Sequence, residues 1–582
     1  MEVTISNFTK VLPEVEKAIQ NCTFLSIDCE LTGLNVTRNI NSYDAPGQYY
    51  DKVRNNCKEF LVIQYGLSTF RYDSENDKFK QQSYNFYIFR RPMNRNIPDQ
   101  RFLCQASSIH FLINQCFDFN KLFKEGIPYL NDEEVKKYRS NLEDNFKKRS
   151  DLIESQQNGG HEDIIPIPEN AQDFIKDVIE KIETFLETEE TELQLPKCNS
   201  FFRRLVYQLR TEKFAGKVSM ETRQIDKDRV LFVTKLRTKE EEQEHEKKIF
   251  EGQLEELEGF IGFNKVLKMI VKSGKLVIGH NLCLDLLHTI EKFLCSLPCE
   301  YEEFKELAHG LFPRVIDTKY MSSTNPFPDL ISSSVLNQLL ERLSEKPFSI
   351  PNIEIEEGHS GYKILDNKEH EAGYDAYITG VAFLAMWKYL GSEQKLKDNE
   401  IFGNMDLLEP YMNRIYLMIL TDNQYIHLGG EDSNPSRDHV FHITFPKDWR
   451  LNNITQLFSP FGNVHVSWID ETSAYVGLNK RDQAAIALNT LSQSDTIAIT
   501  TYAKRQAFLS GTKTPLSSPL GTRKRRKSSE GPPSSKKRRT DSFPSIISKR
   551  SIDRIEEERM EAEDGSTPGI YKKTFEVDTT WD

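Results

Sequence analysis

Asp28 and Glu30 close the run Phe24-Leu-Ser-Ile-Asp28-Cys-Glu30, an apolar, β-compatible stretch ending in two carboxylates two positions apart. Residues i and i+2 of a strand face the same side, so the two acids project together. Ionised carboxylates that close repel each other unless a cation lies between them. Most Asp-x-Glu triplets are solvated surface acids; the sharper reading is half of a divalent-metal site, and it needs partners from elsewhere in the chain. Two later stretches supply them. Leu276-Val-Ile-Gly-His280-Asn281-Leu-Cys-Leu-Asp285 reads as a strand, a turn at Gly279 to Asn281, and a helix bearing Asp285. His370-Glu-Ala-Gly-Tyr-Asp375-Ala-Tyr-Ile-Thr-Gly-Val-Ala-Phe reads as a helix with Asp375 in its first turn and His370 just upstream.

This ordered set resembles the DEDDh class of 3′-to-5′ exonucleases. The resemblance implies that Asp28, Glu30, Asp285 and Asp375 hold two Mg²⁺ ions in the two-metal scheme. It makes His370 the general base that takes a proton from the attacking water.

Those elements sit in a chain of 582 residues, a length that suggests three or four domains. The apolar content of 38% and aromatic content of 11% permit sizeable cores. No run of 18 or more apolar residues occurs, so no membrane span is expected. The start, Met1-Glu-Val-Thr-Ile-Ser-Asn, lacks a basic flank and an apolar core, so no signal peptide is expected. The 9 cysteines are scattered, and only Cys295 and Cys299 approach a pair. That pattern reads as reduced thiols in a cytosolic or nuclear protein. Net charge is −12, but part of the acidic excess sits in the blocks 183–192 and 239–258. Local basic surface governs phosphate binding, so the global sign does not exclude a nucleic-acid partner.

The expected fold class is α/β: a ribonuclease-H-like mixed-sheet nuclease domain, an inserted small α/β domain, an RRM-like α+β sandwich and a disordered tail. The first nuclease part spans 1–160. It opens with an amphipathic helix over Val11 to Gln20, then the Asp28 strand, then two antiparallel strands, Phe60–Phe70 and Gln82–Phe89, around a polar turn at Asp73 to Asp77. A charged helix runs from Asp132 to about Asp151, and a linker from Gln156 to Pro168. The inserted unit, 165–238, has helices at Ala171–Glu187 and Ser200–Thr211 and strands near 216–222 and 229–235. Phe201-Phe-Arg203-Arg204-Leu-Val-Tyr207 resembles a single-strand-binding domain built on an Arg-x-x-x-His motif; an amphipathic scaffold helix is the equal alternative. A long charged helix, 239–258, leads into the second nuclease part, 239–425. The insertion explains why roughly 255 positions separate Glu30 from Asp285. An apolar helical pattern is expected over 401–425 (Leu407, Leu408, Tyr411, Met412, Ile415, Tyr416, Met418, Ile419).

Residues 435–502 follow a β-α-β-β-α order with a Leu-Phe-x-x-Phe-Gly turn, which resembles an RNA-recognition motif. Gly477 stands near a position that often carries an aromatic. Trp468 lies at a strand end before Asp470-Glu471; it either fills the core or stacks on a positively charged purine. Beyond, 503–582 is polar and Ser/Pro-rich, and order is not expected. Its clusters Arg523–Lys527 and Lys536–Arg539 read as a bipartite nuclear-import signal or an accessory RNA-binding tail.

Taken together, roughly residues 1–505 resemble the poly(A)-specific ribonuclease family. The resemblance implies Mg²⁺-dependent removal of adenylates from RNA 3′ ends with release of 5′-AMP. It implies substrate contacts by Lys319 and Phe111, stacking of Trp468 on a 7-methylguanosine cap, and a homodimer. The RNA partner is then a poly(A)-tailed transcript or a nuclear non-coding RNA, and residence is in nucleus and cytoplasm. The alternatives are an inactive RNA- or cap-binding scaffold and a DEDDh exonuclease without adenosine preference.

Overall fold

The computed structural model describes residues 1–34, 40–92, 100–155, 165–214, 216–225, 228–236, 239–422 and 424–509. Its largest sheet is built on five strands: β1 (Phe24–Leu31), β2 (Val62–Asp73), β3 (Lys78–Tyr87), β4 (Leu276–Gly279) and β5 (Val315–Asp317). Their order is β3-β2-β1-β4-β5, with Glu2–Val3 and Ile353–Ile355 pairing along β3. β1, β2 and β3 are antiparallel, whereas β4 and β5 run parallel to β1. Residues far apart in sequence thus become neighbours: β1 pairs with β4 from Phe24↔Leu276 to Ser26↔Ile278.

Alternation along β1 separates two cores. Leu25, Ile27 and Leu31 pack with helix α1 (Cys283–Thr289), whereas Phe24 faces helix α2 (Ala372–Glu393). α2 is apolar around nearly its whole circumference and is buried against β1, β2 and β3. Its first turn reaches the sheet because β2 has a glycine there. A Cβ on Gly66 would lie 1.8 Å from the Ala372 carbonyl oxygen. The free N–H groups of the helix start find partners on the sheet. Ala372 N–H donates to Gln64 Oε1 at 2.9 Å, and Gly373 N–H to Asn85 Oδ1 at 3.0 Å. Ser26 donates its hydroxyl to the Ala376 carbonyl at 2.6 Å.

A smaller unit with its own core combines helices Glu169–Glu187 and Ser200–Lys213 with a sheet ordered Glu192–Gln194, Asp228–Lys235, Val218–Ile225. Charged helices Asp132–Ser155 and Lys239–Ile261 join it to the larger sheet. They are held together by stacked Phe146 and Phe250 and by the pairs Arg139–Glu258 and Arg149–Glu246.

The C-terminal sheet runs Val464–Asp470, Ser473–Leu478, Val440–Thr444, Ala498–Thr501, with helices Leu451–Phe458 and Ala484–Leu491 on one face. Its other face is covered by the large domain. Tyr43 packs with Val440 and Tyr475, and a Cβ on Gly477 would lie 1.8 Å from the Tyr43 hydroxyl. Arg437 Nη2 donates to the Asp44 carbonyl at 3.2 Å, and Asn41 Nδ2 to the Trp468 carbonyl at 3.3 Å. The glycine where an aromatic is common is therefore the space that Tyr43 fills.

Three expectations change. The apolar pattern over 401–425 is not an α-helix: a 3₁₀ turn over Met405–Tyr411 contains Pro410, and the strands Arg414–Tyr416 and Tyr425–His427 form a hairpin. Proline removes a helical hydrogen bond and its ring crowds the preceding turn, and the buried Ile415 and Leu417 alternate as a strand requires. A fourth strand, Ala498–Thr501, completes the C-terminal sheet, and helix Tyr502–Leu509 extends order past residue 502. Helix Pro46–Glu59, with Pro46 at its first position, and strand Glu192–Gln194 are additions. Of the linker expected over Gln156 to Pro168, residues 156–164 lie outside the described residues, as does the tail from 510 on with both basic clusters. Among the described residues no helix is long and apolar enough to cross a membrane.

Candidate active site and aromatic pocket

Three elements converge at the C-terminal end of β1, α1 from one face of the sheet and α2 from the other. Asp28 and Glu30 pair with Gly66 and Gln64 of β2, at the point where the glycine admits the start of α2. Asp375 stands in the first turn of α2, two residues past the sheet-capped N–H groups, and Asp285 in the first turn of α1. Ligand atoms of Glu30, His370 and Asp375 all lie within 4.8 Å of one another. Asp28 feels Asp285, Asp375 and Glu30 as like charges. His370 has φ +65°, and its backbone N–H donates to Asp375 Oδ2 at 3.0 Å. That left-handed kink, costly for a non-glycine residue, brings the imidazole back over the acids.

The electrostatics of the cluster are unfavourable without a cation. Burial, then repulsion from Asp285, Asp375 and Glu30, pushes the Asp28 carboxyl well up. Glu30 rises for the same reasons, with Asp375 and Asp285 as its repelling neighbours. Asp285 and Asp375 are each pushed from 3.8 to about 7, chiefly by burial. Four hard oxygen donors that are mutually repulsive and partly dry fit a site for small divalent cations. Burial lowers the His370 imidazole below its ordinary 6.5, so it is neutral and able to accept a proton at pH 7.

Phe111 lies on helix Ala106–Asn114 and is 43% exposed, so it does not fill the core. Its ring meets the His370 ring edge-on, centroids 4.7 Å apart at 77°. Lys319 lies on the short helix Thr318–Ser322. Its ammonium donates to the Ser334 carbonyl at 3.3 Å and stands 5.7 Å from the centre of the Tyr416 ring. Sequence reasoning did not find the devices that aim these groups: Gly66, Gln64 and Asn85, and the buried Asp317 at the end of β5. Only the glycine carries a local signal, a residue without a side chain inside a strand.

Trp468 stands apart from this cluster. It is 41% exposed and packs edge-on against Phe445, 5.3 Å between centroids, so the core reading does not hold. A pocket of about 690 Å³ opens beside it, lined by Lys447, Asp448, Trp449, Arg450 and Glu471. It combines indole faces with charges of both signs. In the small unit, Arg203 spends Nη1 on the carbonyls of Cys198 at 2.6 Å and Arg229 at 3.3 Å, and the Tyr207 hydroxyl lies 3.1 Å from Thr222 Oγ1. These contacts tie the helix to its sheet, as a scaffold helix does.

The model of the CAF1 family ribonucleases matches residues 3–383, and that of an RNA binding domain matches 430–508. Poly(A)-specific ribonuclease PARN of Xenopus laevis is 42% identical over 511 residues, covering 87% of this chain and 81% of that protein. The Homo sapiens protein of the same name is 42% identical over 520 residues, covering 87% and 80%. A solved structure of S. pombe Pop2p in its Mg²⁺- and Mn²⁺-bound form aligns over 71% of this chain and 98% of that one, at 14% identity and a TM-score of 0.33.

Proposed function

This chain belongs to the CAF1 ribonuclease family, among the poly(A)-specific ribonucleases, and on that premise we propose that it shortens RNA poly(A) tails from the 3′ end, one 5′-AMP at a time. The observation that supports this most is the convergence of Glu30, His370 and Asp375 within 4.8 Å of one another, beside Asp28 and Asp285.

Asp28, Glu30, Asp285 and Asp375 are the residues to hold two Mg²⁺ ions. Bound there, such ions supply an activated water and offset charge on the phosphate. His370, neutral at pH 7, takes the water proton. The edge contact with Phe111 limits the swing of that imidazole, and the exposed face of Phe111 offers the terminal base a stacking surface. Lys319, on the helix next to β5, supplies a positive charge for the phosphate or an adenine edge. Adenosine preference rests on the relatives.

At the second site, a 7-methylguanosine cap carries a cationic purine and a triphosphate. Trp468 offers a stacking face for the first, and Lys447 and Arg450 offer charge for the second. The covered sheet face leaves this pocket, rather than the open sheet, as the place for a nucleotide. A homodimer, trimming of nuclear non-coding RNA 3′ ends, and residence in both nucleus and cytoplasm belong to the same reading. The dimer and the trimming rest on the family resemblance, and nuclear entry on the two basic clusters of the tail.

Product analysis tests the proposal. Poly(A) labelled at its 3′-terminal phosphodiester, incubated with protein and Mg²⁺, is expected to release label first as 5′-AMP. Label appearing first in oligonucleotides would mean internal cleavage and would overturn the exonuclease assignment.

A further inference from the structure

Asp317, at the end of β5, is fully buried, and its carboxylate faces four backbone donors. Oδ1 accepts from the N–H of Asn281 at 2.9 Å and of Lys319 at 3.0 Å. Oδ2 accepts from the N–H of Leu282 and of Tyr416, each at 3.0 Å. The donors come from three separate segments: the turn that enters α1, the helix Thr318–Ser322, and the hairpin strand Arg414–Tyr416. The adjoining Thr318, also buried, donates its hydroxyl to the Gly279 carbonyl at 3.0 Å, and the same hydroxyl lies 2.9 Å from His280 Nδ1. Residues 279–282 are thus gripped from one side at each position.

That turn needs a grip. Asn281 sits at φ +59°, left-handed backbone that a non-glycine residue adopts at a cost. Its N–H and that of Leu282 precede α1 and have no partner within that helix. Three residues after Leu282 comes Asp285. A carboxylate is the one side chain that suits the place. Two oxygens accept two N–H groups each, whereas an amide has a single acceptor oxygen and turns an NH₂ toward the remaining donors.

We propose that Asp317 is a positioning residue for the nuclease reaction: one buried carboxylate sets the turn that aims Asp285 and the backbone of Lys319, holding a metal ligand and a substrate-facing cation in fixed relation. Thr318 completes the clamp. The inference rests on the roles proposed above for Asp285 and Lys319. It makes Asp317 the partner that orients a metal ligand through the main chain rather than by touching it. Loss of partners that orient metal ligands typically costs 10–100-fold in metal affinity or activity.

The test uses the full chain with Asp317→Asn, nearly isosteric, and Thr318→Val. Single-turnover shortening of an RNA ending in twenty adenosines is followed across Mg²⁺ concentrations, with circular dichroism and thermal midpoints alongside. Folded Asp317→Asn is expected to need about 10-fold more Mg²⁺ for half-maximal rate and to reach a maximal rate lower by a similar factor. Thr318→Val is expected to shift the Mg²⁺ requirement in the same direction by less. A folded Asp317→Asn with a lower midpoint but wild-type Mg²⁺ dependence and maximal rate overturns the proposal, since a merely structural residue behaves that way. Should Asp317→Asn not fold, Thr318→Val decides, and an unchanged Mg²⁺ requirement overturns it. If the wild type itself shortens no RNA, the poly(A) reading fails separately. Mn²⁺ binding followed by electron paramagnetic resonance then judges the clamp alone: weaker binding by the variants upholds it, and equal binding overturns it.

Discussion

Replacing Asp375 by Asn should stabilise the metal-free protein while abolishing its activity. The Asp375 carboxyl is pushed from 3.8 to about 7, and burial is the main cause. Tenfold in proton affinity is worth about 1.4 kcal/mol, so keeping this group charged in the folded state costs at most about 4 kcal/mol. Relaxation and the shared repulsion with Glu30 reduce the figure for a single substitution to about 2–4 kcal/mol. Asn removes the charge yet keeps an oxygen for the His370 N–H, which now donates to Asp375 Oδ2 at 3.0 Å. The sign follows from proton linkage. Below pH 3.8 the carboxyl is protonated whether folded or unfolded, and the substitution gains nothing. Between 3.8 and about 7 the folded state keeps the proton that the unfolded chain gives up, so metal-free wild type loses stability as pH rises; above about 7 the loss is complete. The assay is thermal unfolding in EDTA at pH 8 and at pH 4. The nuclease-domain midpoint of Asp375→Asn should exceed wild type by on the order of 5 °C at pH 8 and by little at pH 4. Adding Mg²⁺ should raise wild type and leave the variant nearly unmoved. A lower midpoint for the variant at pH 8, or an equal gain at both pH values, would refute the reasoning that this carboxylate is held charged against its burial.

Other substitutions separate the remaining roles. His370→Ala should lower single-turnover rate by on the order of 10² or more while RNA affinity by filter binding stays near wild type, because a general base is lost and no ligand is; wild-type turnover would end that role. Trp468→Ala should abolish binding to immobilised 7-methylguanosine triphosphate and leave shortening of uncapped poly(A) unchanged; retained cap-analogue binding would move the cap site elsewhere. Gly477→Val should undock the C-terminal sheet, since even a Cβ would lie 1.8 Å from the Tyr43 hydroxyl. The expected readout is faster proteolysis between residues 425 and 437, and unchanged proteolysis would deny Tyr43 that role.

The chemistry-bearing residues were legible where a short-range pattern fixed them. Alternation along Phe24–Glu30 put both acids on one face, and the strand-turn-helix spacing around Gly279 put Asp285 one turn into a helix; both hold in the structure. What the sequence hid was long-range. Nothing near Gly66 announces that the start of α2 lies against it, and nothing near Gly477 announces Tyr43, more than four hundred positions earlier. Asp317 carries no local signal because its four partners come from three segments. The hairpin at 414–427 was misread for a local reason. Its apolar residues recur at helical spacing by chance, and Pro410 was the breaker that should have outweighed them. The helix Pro46–Glu59 carried a usable signal, proline at the first turn and buried Tyr49, Tyr50, Val53 and Cys57 on one face, inside a mostly polar stretch that masked it.

Deadenylation itself is read by setting a 5′-labelled RNA ending in twenty adenosines beside one ending in mixed sequence, each with Mg²⁺ or with EDTA. A ladder of single-nucleotide steps is expected on the first RNA, one that needs Mg²⁺ and stops where the adenosines end, with the mixed end left nearly intact. Equal trimming of both RNAs would contradict the adenosine specificity, and no trimming of either with Mg²⁺ present would contradict the nuclease assignment itself.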